Sequence, residues 1–220
     1  MGWDSFLDKV EVVVNWGNRI YAKVEKFAEP AVKVISPHVD TFAQELEPIM
    51  NRPMDWVLFL YFSSHIPITI FFDLQNLYPQ WIIPTFFQQL HGTYMALLND
   101  PFMDKTIPVK WWFKIFSLCE AFLQLPFFFF AAYGVFKDKS WIRLPLAVYC
   151  AHVMTTVLPC LAEIILNTAA YGLEEYQRNI MLMLYSPYFF IPLLGLVDSY
   201  IRITKKIKAN DTALIEKKNE

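Results

Sequence analysis

Four stretches of this chain are almost free of charge. Residues 56–72 and 180–197 contain no Asp, Glu, Lys or Arg; between residues 115 and 136 the only charge is Glu120, and between 144 and 173 it is Glu163. A bilayer core takes roughly 20 predominantly apolar residues per helix. The pattern therefore predicts an all-α polytopic membrane protein with four spans, over residues 54–77, 111–136, 141–171 and 180–203. A large soluble bundle would show polar faces at helical spacing, and these runs lack them. Trp56, Trp81, Trp111, Trp112 and Trp141 cluster at the span ends, as an interfacial aromatic belt requires. Pro67, Pro126, Pro145, Pro159, Pro187 and Pro192 fall within the spans. Proline is tolerated in lipid where neighbouring helices satisfy the freed carbonyl, and its kinks can open a cavity.

The first 50 residues read differently. Phe6, Val10, Val13, Ile20, Val24 and Phe27 recur at spacings of three, four and seven, which predicts an amphipathic helix to about Ala28, ended by Pro30. Ile35, Val39, Phe42 and Leu46 predict a shorter helix between Pro37 and Pro48. The chain thus divides into an amphipathic extension (1–50), a four-helix membrane domain with an intramembrane cavity (51–204) and a basic tail (205–220). Within residues 1–50 the five Lys and Arg are outnumbered by eight Asp and Glu, so anionic lipid attracts the extension only weakly. It is expected to lie on the membrane, or to dock on a protein partner or on the ends of the spans.

Charge then sets the orientation. The tail carries Arg202, Lys205, Lys206, Lys208, Lys217 and Lys218 against Asp211, Glu216 and Glu220, and the connection between the second and third spans carries Lys137, Lys139 and Arg143. Both belong in the cytosol by the positive-inside rule. Four spans then place the N-terminus there as well. A net charge of −2 gives no reason to expect a nucleic-acid partner. Cys119, Cys150 and Cys160 fall inside predicted spans, so neither a disulfide framework nor zinc spacing is expected. The apolar core at residues 12–14 is too short for a cleavable signal peptide, and Phe6 stands where a myristoylation site needs Ser or Thr.

Ionisable groups inside a membrane are costly and mark functional sites by default. On the first span His65, Thr69 and Asp73 are spaced four apart and share a face. Glu120 and Gln124 do the same on the second; Tyr149, His152, Thr156 and Glu163 make one polar stripe on the third; Tyr185 and Tyr188 lie on the fourth. These groups are expected to converge in the luminal half of the bundle. A pocket holding Asp73 and Glu120 would favour a hydrophobic amine or a sterol hydroxyl, with no metal or other cofactor. Asp198, near the cytosolic end, is read as structural, reaching toward Lys205 or Arg202.

The residues carry a family resemblance. Residues 60–75, Leu-Tyr-Phe-Ser-Ser-His-Ile-Pro-Ile-Thr-Ile-Phe-Phe-Asp-Leu-Gln, closely resemble the first span of the sigma-2 receptor branch of the EXPERA family. So do Asn99-Asp100-Pro101, Trp112-Phe113-Lys114, Cys119-Glu120 followed by Gln124-Leu125-Pro126, and Trp141-Ile142-Arg143. His152 with Thr155-Thr156, and Tyr185-Ser186-Pro187-Tyr188 with Ile191-Pro192, match too. The resemblance covers about residues 54–203. It implies a four-helix fold with an intramembrane cavity, residence in the endoplasmic reticulum, frequent homodimers and a link to sterol binding and cholesterol homeostasis. It also implies Asp73 as counter-ion for a ligand amine, Asp100 as the acid that orients it, and Glu120, Gln124, Tyr149, Thr156 and Tyr188 as cavity lining. The family's receptor has only a short N-terminal stub, and the loop over 166–178 looks unlike it.

Lys217 and Lys218 stand third and fourth from the end, which fits a dilysine retrieval signal on a cytosolic tail. The first functional expectation is a sterol- and lipophilic-amine-binding protein without turnover. The alternative is a sterol double-bond isomerase like the related emopamil-binding enzyme, with Glu120 and Asp73 as its acid and base. A third is a structural subunit of a larger membrane assembly.

Overall fold

The computed structural model describes residues 48–104 and 110–219; both helices expected within residues 1–47 lie outside that range, apart from the Pro48 boundary. Helix α1 (Pro53–Phe71) ends in tight turns at Asp73–Asn76 and Gln80–Ile82, and α2 (Thr85–Leu98) follows. Helices α3 (Trp111–Cys119) and α4 (Leu125–Phe136) are joined end to end by a wide turn at Glu120–Gln124. Then come α5 (Arg143–Leu166), α6 (Glu175–Tyr185) and α7 (Pro187–Asn219), with no strand among the described residues.

Four helical stretches are long and apolar enough to cross a membrane: Pro53–Asn76, Trp111–Phe136, Ser140–Leu166 and Glu175–Lys218. Protein covers a third or less of each apolar window. The rest of each surface is large and greasy, with Phe122, Leu123, Phe129, Phe130, Val148 and Leu194 facing outward, a surface suited to lipid rather than water.

The third span stops at Leu166 rather than continuing to 171, because Asn167 leaves the helical backbone region and Gly172 then turns the chain at φ +62. The fourth begins earlier than position 180. Glu174 and Gln177 form a reciprocal capping box that starts the helix at Glu175. Residues 205–219, expected as a tail, continue α7 without a break. The sequence reading had no counterpart of α2.

Helices α1, α4 and α5 meet around a fully buried core of Leu58, Phe62, Phe128, Leu146 and Cys150. Two glycines set how closely the elements approach. A Cβ on Gly134 would lie 2.8 Å from the Cβ and Cγ1 of Ile142, and one on Gly195 would lie 3.0 Å from a methyl of Leu58 and 3.1 Å from the Cys150 sulfur. Small residues at membrane-helix contacts work in this way, since packing rather than hydrophobicity drives association there.

A charge network ties the spans at one end. Asp55 on α1 is fully buried and accepts hydrogen bonds from Arg52 at 2.5 Å and Arg143 at 2.9 Å, and it is paired with Arg202 at 3.1 Å. Arg143 and Arg202 also hold Asp198, at 3.5 and 2.9 Å. The guanidinium of Arg52 also donates to the carbonyls of Val135 and Phe136 at the C-terminal end of α4. Asp198 therefore does pair with Arg202, and Arg143 joins them.

Candidate functional site

Toward the opposite end the four spans part around a cavity of about 270 Å³. Its floor comes from α1, where the helix opens at Phe72 and tightens into the turn that carries Asp73. Its second wall is the Glu120–Gln124 turn, which is π-wide. Pro126 lies just beyond and has no N–H to donate to the preceding turn, and wide turns of this kind recur at functional sites. Helix α5 supplies Val153, Thr156, Val157 and Cys160; α6 and α7 supply Leu184, Tyr185 and Tyr188.

Asp73 and Glu120 meet through Thr69. The Thr69 hydroxyl lies 2.9 Å from Glu120 Oε1 and 3.3 Å from Asp73 Oδ2, within donating distance of both, and the residue is fully buried. One hydroxyl proton cannot satisfy both carboxyls together. Among the described residues, no Lys or Arg lines this cavity. Two acids without a resident cation favour an occupant that brings a positive charge or hydrogen-bond donors of its own. His65 adds an aromatic edge, its ring 4.6 Å from that of Tyr188 and 4.5 Å from that of Tyr61.

Asp100 lies behind the cavity wall rather than in it. Its Oδ2 accepts from the Tyr94 hydroxyl at 2.5 Å and the Tyr185 hydroxyl at 2.8 Å, and its Oδ1 accepts from the Phe102 N–H at 2.8 Å. Burial pushes the Asp100 carboxyl up from the usual carboxylate range, against the pull of those three donors. Tyr94 and Tyr185 both line the cavity. Asp100 thus fixes two rings of the wall, one from α2 and one from α6.

Of the residues expected at the site, Asp73, Glu120, Gln124, Thr156 and Tyr188 line one cavity. Tyr149 sits in the aromatic core below it, its hydroxyl 3.1 Å from that of Tyr61 and its ring stacked on Phe127. Glu163, expected to converge with the others, is held elsewhere by an ion pair with Lys110 and by the Tyr171 hydroxyl at 2.6 Å. Tyr94 was missed because α2 itself was not foreseen. A signal existed: Asn99 closes α2 in the left-handed region at φ 51, a conformation Asn tolerates, and Pro101 follows. Among the described residues no cluster of His, Cys, Asp and Glu is placed to hold a metal.

A second, more open cleft of about 440 Å³ adjoins the cavity and shares His65, Ile68, Leu184 and Tyr188 with it. Its remaining walls, Val57, Leu60, Tyr61, Ser64, Pro187 and Ile191, are mostly apolar and lie between α1 and α7.

Fold and site together define a class: a multi-pass membrane protein whose spans enclose an acid-lined cavity. The family model for EXPERA, the expanded EBP superfamily, matches residues 86–199. The chain is 40% identical over 155 residues to Sigma intracellular receptor 2 of Xenopus tropicalis, covering 68% of this chain and 89% of that protein. It is 37% identical over 159 residues to Sigma intracellular receptor 2 of Homo sapiens, with the same coverage. A more distant relative, Efficient mitochondria targeting-associated protein 19 of Schizosaccharomyces pombe, is 26% identical over 168 residues, covering 74% of this chain and 83% of that protein. The chain belongs to the EXPERA family, in its sigma-2 receptor branch.

Proposed function

We propose that this protein binds sterols and lipophilic amines within the membrane and serves intracellular sterol homeostasis or transport. The observation that carries the reading is the pair of carboxyls, Asp73 and Glu120, facing one cavity with no Lys or Arg among its described lining residues. An amine seated there makes a charge-assisted hydrogen bond to Asp73, with Tyr188 and Phe116 offering ring faces to the cation. A sterol hydroxyl donates to the same acids. The apolar body of either ligand then extends into the adjoining cleft between α1 and α7, so the two volumes together take a molecule that 270 Å³ alone would crowd. Asp100 keeps Tyr94 and Tyr185 in the wall and acts on the ligand through them. The Arg-rich end faces the cytosol, both termini with it, and Lys217 and Lys218 serve retrieval to the endoplasmic reticulum. The protein forms homodimers in that membrane.

The test is equilibrium binding of a radiolabelled lipophilic amine to the protein in lipid nanodiscs, with sterols as competitors. Saturable binding displaced by sterols supports the reading; no saturable binding, or none that sterols displace, refutes it.

A second reading keeps the same site but adds turnover. Two carboxyls from different spans meet at the Thr69 hydroxyl, and a sterol double-bond isomerase would use such a pair with Glu120 protonating the alkene and Asp73 removing a proton elsewhere. Rescue of an isomerase-deficient yeast strain would put this reading first; failure to rescue with expression intact leaves binding as the function.

A further inference from the structure

The charges at the Arg-rich end fall into two layers. The inner layer is neutral: Arg52, Arg143 and Arg202 all pair with Asp55, and the same arginines hold Asp138 and Asp198. The outer layer is positive. Lys137 and Lys139 on the loop after α4, and Lys205 and Lys206 on α7, are all exposed. Lys137 lies over the Phe136 ring at 4.9 Å, and among the described residues Lys139, Lys205 and Lys206 make no ion pair.

The fold holds these lysines in place. Asp138 closes α4 in the left-handed region at φ 48; its N–H donates to the Val135 carbonyl at 3.2 Å, and the Lys139 N–H donates to the Gly134 carbonyl at 2.8 Å. Those two bonds make a Schellman cap, which fixes the loop. The Asp138 carboxylate between the two loop lysines is turned onto Arg52 at 3.1 Å and Arg143 at 3.4 Å. On α7, steps of three and four from Arg202 put Lys205 and Lys206 on its face, one turn further out. The two lysine pairs therefore stand at the two ends of one salt-bridge chain, Arg202 to Asp55 to Arg143 to Asp138.

Their depth suits a lipid headgroup. Trp141 and Tyr200 are more than half exposed, rings of the kind that settle at headgroup level. Lys139 is two residues from Trp141, and Lys205 lies five residues beyond Tyr200, about 7.5 Å of helix. That falls within the Debye length of about 8 Å at physiological ionic strength, so an anionic surface acts on these charges with little screening. Lysine binds phosphate as a point charge. A phosphomonoester brings a charge of about −1.5 to −2, whereas a lipid with only its phosphodiester cannot serve both lysine pairs.

We propose that this end of the bundle binds the headgroup of an anionic lipid bearing phosphomonoesters, with Lys139, Lys205 and Lys206 as its main contacts and Lys137 beside them. The seat is separate from the acid-lined cavity, so it stands whether or not that cavity binds amines.

Native mass spectrometry of the full chain in a neutral detergent tests this, with short-chain phosphatidylinositol monophosphate, phosphatidylserine and phosphatidylcholine as probes. The phosphoinositide should bind with a Kd at least tenfold below either of the others. Lys139→Gln, Lys205→Gln and Lys206→Gln together should weaken it at least tenfold. Removing the same charge elsewhere, with Lys114→Gln, Lys217→Gln and Lys218→Gln, should change it less than threefold. Equal losses in the two variants, or equal binding of phosphatidylserine, would reduce the effect to bulk charge and overturn the proposal. Arginine at positions 139, 205 and 206 should keep the affinity within threefold; a loss there as large as with glutamine would mean that the fold and not the charge had changed, and also overturns it. Soluble inositol bisphosphate should compete at least tenfold more weakly than the lipid, and an equal Kd would make the ligand a free phosphate instead of a membrane lipid.

Discussion

Asn at position 73 keeps the shape of Asp73 and removes only its charge. A hydrogen bond to a charged partner contributes about 1.5–3 kcal/mol and a neutral one about 0.5–1.5. The Asp73→Asn variant should therefore bind a lipophilic amine less tightly by roughly 1–1.5 kcal/mol, or about 5- to 12-fold in Kd. The loss is bounded because Glu120 remains across the Thr69 hydroxyl and can take over part of the cation. Removing both acids, with Asp73→Asn and Glu120→Gln, should cost more than the sum of the two singles, since each single leaves the other as a substitute. The assay is equilibrium binding of a tertiary amine and of its carbon isostere, in which an uncharged centre replaces the nitrogen. The isostere should lose less than about twofold in every variant. Equal losses for amine and isostere would mean that Asp73 acts by shape rather than charge, and unchanged amine affinity would remove it from the site.

Three other outcomes follow from the geometry. Asp55→Asn leaves three buried or half-buried arginines without their shared carboxylate, so it should destabilise the fold by about 3–5 kcal/mol, read as a fall in Tm, while ligand Kd stays within about threefold. Gly134→Ala drives a methyl to 2.8 Å from Ile142 and should cost about 1–3 kcal/mol of stability; no loss would mean that the loop between the second and third spans yields freely. Epitopes before Met1 and after Glu220 should both be reached by antibody when only the plasma membrane is permeabilised, and signal from the N-terminal tag alone would mean an odd number of spans.

The spans were legible because lipid imposes a long, simple rule on sequence, the absence of charge over about 20 residues. Asp73 and Glu120 were legible for the same reason, as exceptions to that rule. What the pattern missed depends on pairing between distant residues. Asp55 sits just before a charge-free run and reads as a surface acid, yet Arg143 and Arg202 lie 88 and 147 positions away and bury it completely. Glu163 looks like a third cavity acid by depth alone; only the fold brings Lys110 to it. Helix α2 escaped because Gln88, Gln89, His91 and Gly92 interrupt its apolar period, and it is held by buried polar contacts such as Gln177 donating to the Leu97 carbonyl. The Glu120–Gln124 turn departs from ordinary helical spacing, so the shared face inferred from an i, i+4 step was reached by a different local geometry.

Photolabelling with a lipophilic amine that carries a diazirine tests the central claim most directly. Purified protein in nanodiscs would be irradiated with the probe and the modified residues mapped by mass spectrometry. Labels should fall on cavity residues of at least three spans, among them Phe116, Val157 and Tyr188, and should disappear when excess sterol or unlabelled amine is added. Labels confined to the outward faces, such as Val148, Phe130 and Leu194, and unaffected by competitor, would contradict it.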